Sequence, residues 1–144
     1  MLPLEDALAQ MLNQLPFPTK TETLPLTEAA DRVCAEDVIS PINVPSFDNS
    51  AMDGYAVRLA DLQQSMTLSV AGKSFAGNPF QGEWVAQSAV RIMTGAMIPE
   101  GADAVVMQED VTVNEDGSVT FAALPKPNQN IRRIGEDVKK GDVV

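Results

Sequence analysis

Three stretches of the 144-residue chain concentrate side chains able to do chemistry. The first, Pro45 to Ala56, places Asp48, Asn49, Ser50 and Asp53 on one turn, with Gly54 beside them. Carboxylates, an amide and a hydroxyl at that density offer oxygen ligands to a hydrated magnesium ion, or orient water and a polar ligand, and the glycine lets backbone approach closely. The same residues also suit a plainer duty, which is to satisfy loop and helix-end amides. In the second stretch, Arg91 to Val106, an expected strand ends in Thr94-Gly95 and so presents a hydroxyl and adjacent amides at a rigid tip. A plain strand-turn-strand, with Thr94 capping its own loop, accounts for these residues equally well. In the third, Asn130 to Asp137, Arg132 and Arg133 precede Glu136 and Asp137. A guanidinium fork there grips a phosphate, or pairs with the neighbouring acids and joins the segment to the rest of the fold.

Composition narrows what these stretches are for. The chain has no histidine, so Ser-His-Asp and Cys-His nucleophile systems and histidine-ligated metals are excluded. Its single cysteine, Cys34, forms no internal disulfide and supplies no paired-cysteine zinc or redox motif; between Val33 and Ala35 it reads as a small buried apolar residue. Any metal is therefore held by oxygen, which favours magnesium or calcium. Ten basic against 20 acidic residues leave a net charge of −10, which repels nucleic acid. No apolar run is long enough for a membrane span, and the N-terminus has acids where a signal peptide needs bases, so a cytoplasmic location is expected. Met52, Met66, Met93, Met97 and Met107 follow no ligand spacing and read as interior filler.

The elements that must position the three stretches follow from periodicity. Leu4, Leu8, Met11, Leu12 and Leu15 recur at helical spacing after Pro3, and Pro16 and Pro18 stop the pattern, so the chain opens on an amphipathic helix. Thr21 to Leu26 reads as extended, Thr27 as the cap of a short helix over Glu28 to Val33, and Cys34 to Ile39 as a strand. Pro41 and Pro45 then make Ser40 to Ser50 an extended connector. Short β-favouring runs follow at Tyr55 to Val57, Met66 to Ala71, Ala89 to Met93 and Ala104 to Gln108. A hairpin joins Val111–Val113 to Val119–Phe121 around Asp116-Gly117. The expected architecture is α+β: a helix-rich part over residues 1–52, a β-rich mixed-sheet domain over 53–123, and a return segment over 124–144 that packs on the first part.

Taken together and in order, FDNSAMDGYAVR from Phe47, RIMTGA from Arg91, GADAVVMQE from Gly101 and NIRRIGED from Asn130 resemble the N-terminal region of the molybdopterin molybdenumtransferases, the MoeA and gephyrin E-domain family. The resemblance implies magnesium-dependent insertion of molybdate into adenylated molybdopterin with release of AMP. It also implies a homodimer, with the helix-rich part forming the dimer contact, and a molybdopterin adenylyltransferase as the upstream donor. Residue by residue, the family's functional aspartate in AMDGYA falls on Asp53 and its functional threonine in IMTGA falls on Thr94. Asp53 would then orient a magnesium-bound or attacking water, and Thr94 an oxyanion or pterin phosphate. Asn49, Ser50, Gly95 and Arg132 follow as weaker substrate contacts. Members of the family continue into an α/β domain that carries most of the active site, so the 144 residues are expected to be an inactive fragment of such an enzyme; a non-catalytic dimerisation or scaffold module is the alternative.

Overall fold

A computed structural model describes residues 2–16 and 20–144. Contacts divide the chain into two units, Met1–Val38 and Ile39–Val144, whereas the sequence pattern puts its first boundary at residue 52. The difference arises because residues 39–50 bond to the return segment: Ile39 bridges Val143, Val44 bridges Val138, and Asn49–Ser50 pairs with Ile131–Arg132.

In the first unit, helix α1 spans Leu4–Gln14, with Pro3 as its N-cap and Glu5 and Asp6 at its positive end. The proposed stop at Pro18 lies outside the described residues. No residue of α1 is buried: its apolar stripe of Leu4, Leu8, Met11 and Leu12 faces solvent. Two expectations for this unit fail. In place of a helix over Glu28 to Val33 there is a single 3-10 turn, Leu26–Glu28, with Thr27 inside it; Asp31 then adopts a left-handed φ of 62°, which no continuing helix accepts. Cys34 to Val38 forms no strand, because nothing among the described residues pairs with it, and only Ile39 enters a bridge. Cys34 is accordingly exposed and not buried.

The second unit holds the core. Its strands are β1 (Asn49–Ser50), β2 (Gly54–Val57), β3 (Thr67–Ser74), β4 (Ser88–Ile92), β5 (Ala104–Met107), β6 (Val111–Val113), β7 (Val119–Phe121) and β8 (Ile131–Arg132). Six of them form one mixed sheet in the order β5-β2-β4-β3-β7-β6, and β1 with β8 makes a two-stranded ladder. Only β3 and β4 run parallel, with a register shift between Val70 and Gly72; the other pairs are antiparallel. Strand β2 is buried along its whole length between β4 and β5. The alternation in these strands sends Tyr55, Val57, Leu68, Val106, Val119 and Phe121 into one cluster, which Leu62 joins from residues 59–64, and Ala56, Val90, Ile92, Val105 and Ile131 into a second.

Helix α2, Leu59–Gln64, has no counterpart in the sequence expectations. Its six residues are too few to show a period, and its first amide, that of Leu59, is satisfied by the Asp103 carboxylate at 2.8 Å from 44 residues away. The methionines divide. Met66 packs against the core, while Met52 and Met97, expected inside, are 36% and 43% exposed.

Candidate functional site

The fold brings the first two chemistry-bearing stretches together. Asp53 immediately precedes β2 and Thr94 lies two residues beyond β4, and because Gly54 and Ile92 are register partners the two side chains meet at the same end of the sheet. One carboxylate oxygen, Asp53 Oδ1, accepts both the Thr94 backbone N–H and its hydroxyl, each at 2.7 Å. Among the described residues no donor reaches Oδ2, which leaves that oxygen for an incoming group. The two bonds from Thr94, its amide foremost, hold the Asp53 carboxyl below the usual carboxylate range, so it is an anion at neutral pH. An acid so weakened as a base does not remove protons efficiently near pH 7; it orients water or attracts a cation. Thr94 spends its hydroxyl proton on Asp53 and has only lone pairs to offer elsewhere, so stabilising an oxyanion would require it to release Asp53.

Behind this pair lies a brace. Gly95, at φ 77°, donates its amide to the Ser50 carbonyl at 2.8 Å, and the Ser50 amide donates to the Ala96 carbonyl at 3.0 Å. Ser50 is 1% exposed and its hydroxyl donates to the Met52 carbonyl at 2.6 Å. Asn49, also buried, donates its side-chain amide to the Phe47 carbonyl at 3.2 Å. Arg132 stands opposite Asn49 on the β1-β8 ladder and gives its guanidinium to Glu136 and, through Nη2, to both oxygens of Asp137. The structure thus joins Asp53 to Thr94, places Asn49, Ser50 and Gly95 as their support with their polar groups engaged, and leaves Arg132 in an ion-pair network with no bond to the pair.

Two neighbours escaped the sequence reading, Arg91 and Gln108. The Gln108 amide donates to the Asp53 carbonyl at 3.0 Å, and Arg91 donates to Gln108 Oε1 at 2.5 Å. Both stand within the motif stretches, but only the three-strand order β4-β2-β5 brings them to one place.

The family described as "MoeA N-terminal region (domain I and II)" matches residues 2–144. The chain belongs to this MoeA N-terminal family. It is 81% identical over all its 144 residues to a protein named molybdopterin molybdenumtransferase of Haemophilus influenzae, of which it covers 36%. It is 40% identical over 133 residues to a protein of the same name from Bacillus subtilis, of which it covers 31%. The chain thus spans about a third of the length of these curated relatives. The crystal structure of a molybdopterin biosynthesis MoeA protein from Pyrococcus horikoshii OT3 superposes with a TM-score of 0.75 at 40% identity, over 100% of this chain and 39% of that one. The mixed sheet with few helices is therefore a MoeA N-terminal fold.

For this MoeA region the magnesium expectation meets a limit in the residues present. No group of three or more Asp, Glu, His or Cys among the described residues is arranged to hold a metal. Magnesium keeps much of its water shell and commonly takes one or two carboxylates with substrate oxygens. Asp53 Oδ2 fits a single contact of that kind, through water, and the described residues supply no cage. No described helix is long and apolar enough to cross a membrane.

The third motif stretch has a pH-dependent structural role. Asp48 Oδ1 accepts the Ile134 amide at 2.7 Å, and its other oxygen accepts Arg133 Nη1. The Ile134 bond, helped by Arg133, holds the Asp48 carboxyl below its ordinary value of 3.8, and the Arg133 amide does the same, with Arg132, for Glu136. A carboxyl with a lower pKa folded than unfolded adds stability above its unfolded value, and that contribution is lost as pH falls through the folded one. The urea midpoint should therefore fall on acidification below about pH 5, and Asp48→Asn should shrink the fall. An equal acid sensitivity in wild type and variant would show that Asp48 does not anchor the return segment.

Proposed function

We propose that this chain is the N-terminal part of a molybdopterin molybdenumtransferase, and that Asp53, held by Thr94, is its contribution to a composite site where molybdate enters adenylated molybdopterin and AMP leaves. The observation that carries the reading is the half-engaged carboxylate: Asp53 Oδ1 is fixed by two bonds, while no donor among the described residues bonds Oδ2. A fixed anion at a sheet tip can orient a hydrated magnesium ion against phosphate or molybdate oxygens. Magnesium is the cofactor in this reading, and its remaining oxygen ligands come from the substrates and from outside these 144 residues. A molybdopterin adenylyltransferase supplies the adenylated substrate, the assembly is a homodimer, and the reaction takes place in the cytoplasm.

The direct test measures molybdate- and magnesium-dependent AMP release by two proteins. One is the H. influenzae relative with residues 1–144 of this chain grafted over its 81%-identical segment. The other is the 144-residue chain alone. Turnover by the graft and none by the isolated chain are expected; AMP release by the isolated chain would overturn the composite-site reading.

A second reading, a dimerisation or scaffold module, is favoured by one observation: Leu8 and Leu12 of α1 are 53% and 56% exposed on a helix with no buried residue. Leu8→Asp and Leu12→Asp should lower the oligomeric state in sedimentation while leaving the β-sheet unit folded. A scaffold loses its function in those variants and tolerates change at Asp53; an enzyme shows the sensitivity at Asp53.

A further inference from the structure

Arg91 stands opposite Tyr55 in the β2-β4 ladder, and its guanidinium carbon lies 5.2 Å from the centre of the tyrosine ring. From there the side chain reaches the end of the sheet. Its Nη1 donates to the carbonyl of Gly54 at 2.7 Å and to that of Ile92 at 2.9 Å, and its Nη2 donates to Gln108 Oε1 at 2.5 Å. Gly54 is the residue after Asp53, Ile92 is two before Thr94, and Gln108 donates its own amide to the Asp53 carbonyl. One guanidinium thus fastens three chain segments at the points from which the Asp53–Thr94 pair projects.

We propose that Arg91 is a positioning residue for this pair: it clamps the carbonyls beside Asp53 and Thr94 and so keeps the carboxylate and its two donors in register. The inference rests on the reading of Asp53 given above and adds the residue that holds it. The planar fork holds two carbonyls and an amide oxygen in one fixed geometry; a lysine ammonium also has three donors, but gathers them at one point on a flexible stem. Arg91 forms no ion pair with a carboxylate within 4.0 Å among the described residues, so its bonds go to backbone and to Gln108 and not to a charge partner.

Two measurements on Arg91→Lys and Arg91→Met test the clamp. In the 144-residue chain, amide hydrogen exchange at Thr94 reports its bond to Asp53, read against the melting temperature. In the H. influenzae graft, kcat and KM for adenylated molybdopterin are separated. The clamp predicts faster Thr94 exchange and a kcat reduced about a hundredfold in both variants, with KM little moved, since a misplacement of about 1 Å is enough for such a loss. Should Arg91→Met fail to fold, Arg91→Lys, which keeps the stem over Tyr55 and the charge, carries the test alone. Wild-type exchange and turnover in Arg91→Lys would overturn the clamp, because charge without the fork would then suffice. If Asp53→Asn retains full turnover while Thr94 exchange still responds to Arg91, the clamp stands and the functional reading of Asp53 falls.

Discussion

Replacing Asp53 with asparagine in the grafted enzyme should lower kcat on the order of a hundredfold, the cost of removing one preorganised electrostatic contact at a reacting centre, in a protein that still folds and melts cooperatively. The substitution is nearly isosteric, and an asparagine Oδ1 can still accept the Thr94 amide and hydroxyl that Asp53 Oδ1 accepts at 2.7 Å. What it removes is the negative charge that reaches Oδ2, the oxygen that no donor among the described residues engages. Structure and chemistry are thereby separated at one position. Loss of AMP release by a folded variant places the chemistry at this sheet tip. Unchanged release moves the active site wholly to the part of the relatives beyond these residues and leaves the region a scaffold. Because the bonds from Thr94 hold the Asp53 carboxyl below the usual carboxylate range, activity that depends on its charge should persist well into mild acid. An activity loss centred near neutral pH would point to a different titrating group.

The parts of this arrangement that could be read from the chain are those set by local pattern. The hairpin Val111–Val113 and Val119–Phe121 alternates apolar residues around a glycine at φ 82°, and it forms as the alternation requires. Helix α1 follows from leucine spacing and Pro3. Two of the misses turn on a partner distant in sequence, and a third, the helix over Glu28 to Val33, on the left-handed φ of Asp31. Helix α2 is capped from Asp103, and the strand expected at Cys34 to Ile39 finds nothing among the described residues to pair with before Ile39. At the site, the residue types marked out Asp53 and Thr94 separately, but their union needed the β2-β4 register. Asn49, Ser50 and Gly95 carry groups that look available in one dimension; in the fold, neighbouring carbonyls engage them. Arg132 and Arg133 likewise went to acids and an amide oxygen, the structural option of the two that their charge pattern allowed.

Gly54→Ala should severely destabilise the sheet unit, although it adds a single methyl. A Cβ at Gly54 would sit 1.9 Å from the Val106 carbonyl oxygen, 2.8 Å from its carbon and 3.1 Å from the Met107 Cα. These are backbone atoms of β5, the register neighbour of β2, so no rotamer change relieves the contact; the two strands must separate. Separation opens the ladder from Gly54 to Val57 and the packing of Ala56, Val57 and Val105, all 0% exposed. Losses from such combined clash and core disruption exceed about 4 kcal/mol, against a total stability of about 5–15 kcal/mol for an ordinary domain. Gly95→Ala is the control. That glycine has a φ of 77° and nothing within 4 Å of its Cβ position, so its cost is the left-handed backbone alone, about 1–2 kcal/mol. Circular dichroism melts of the two variants should therefore differ sharply, with a near-wild-type cooperative transition for Gly95→Ala and a transition shifted far down or lost for Gly54→Ala. A Gly54→Ala chain that melts cooperatively near the wild-type temperature would mean that β2 and β5 tolerate a wider spacing.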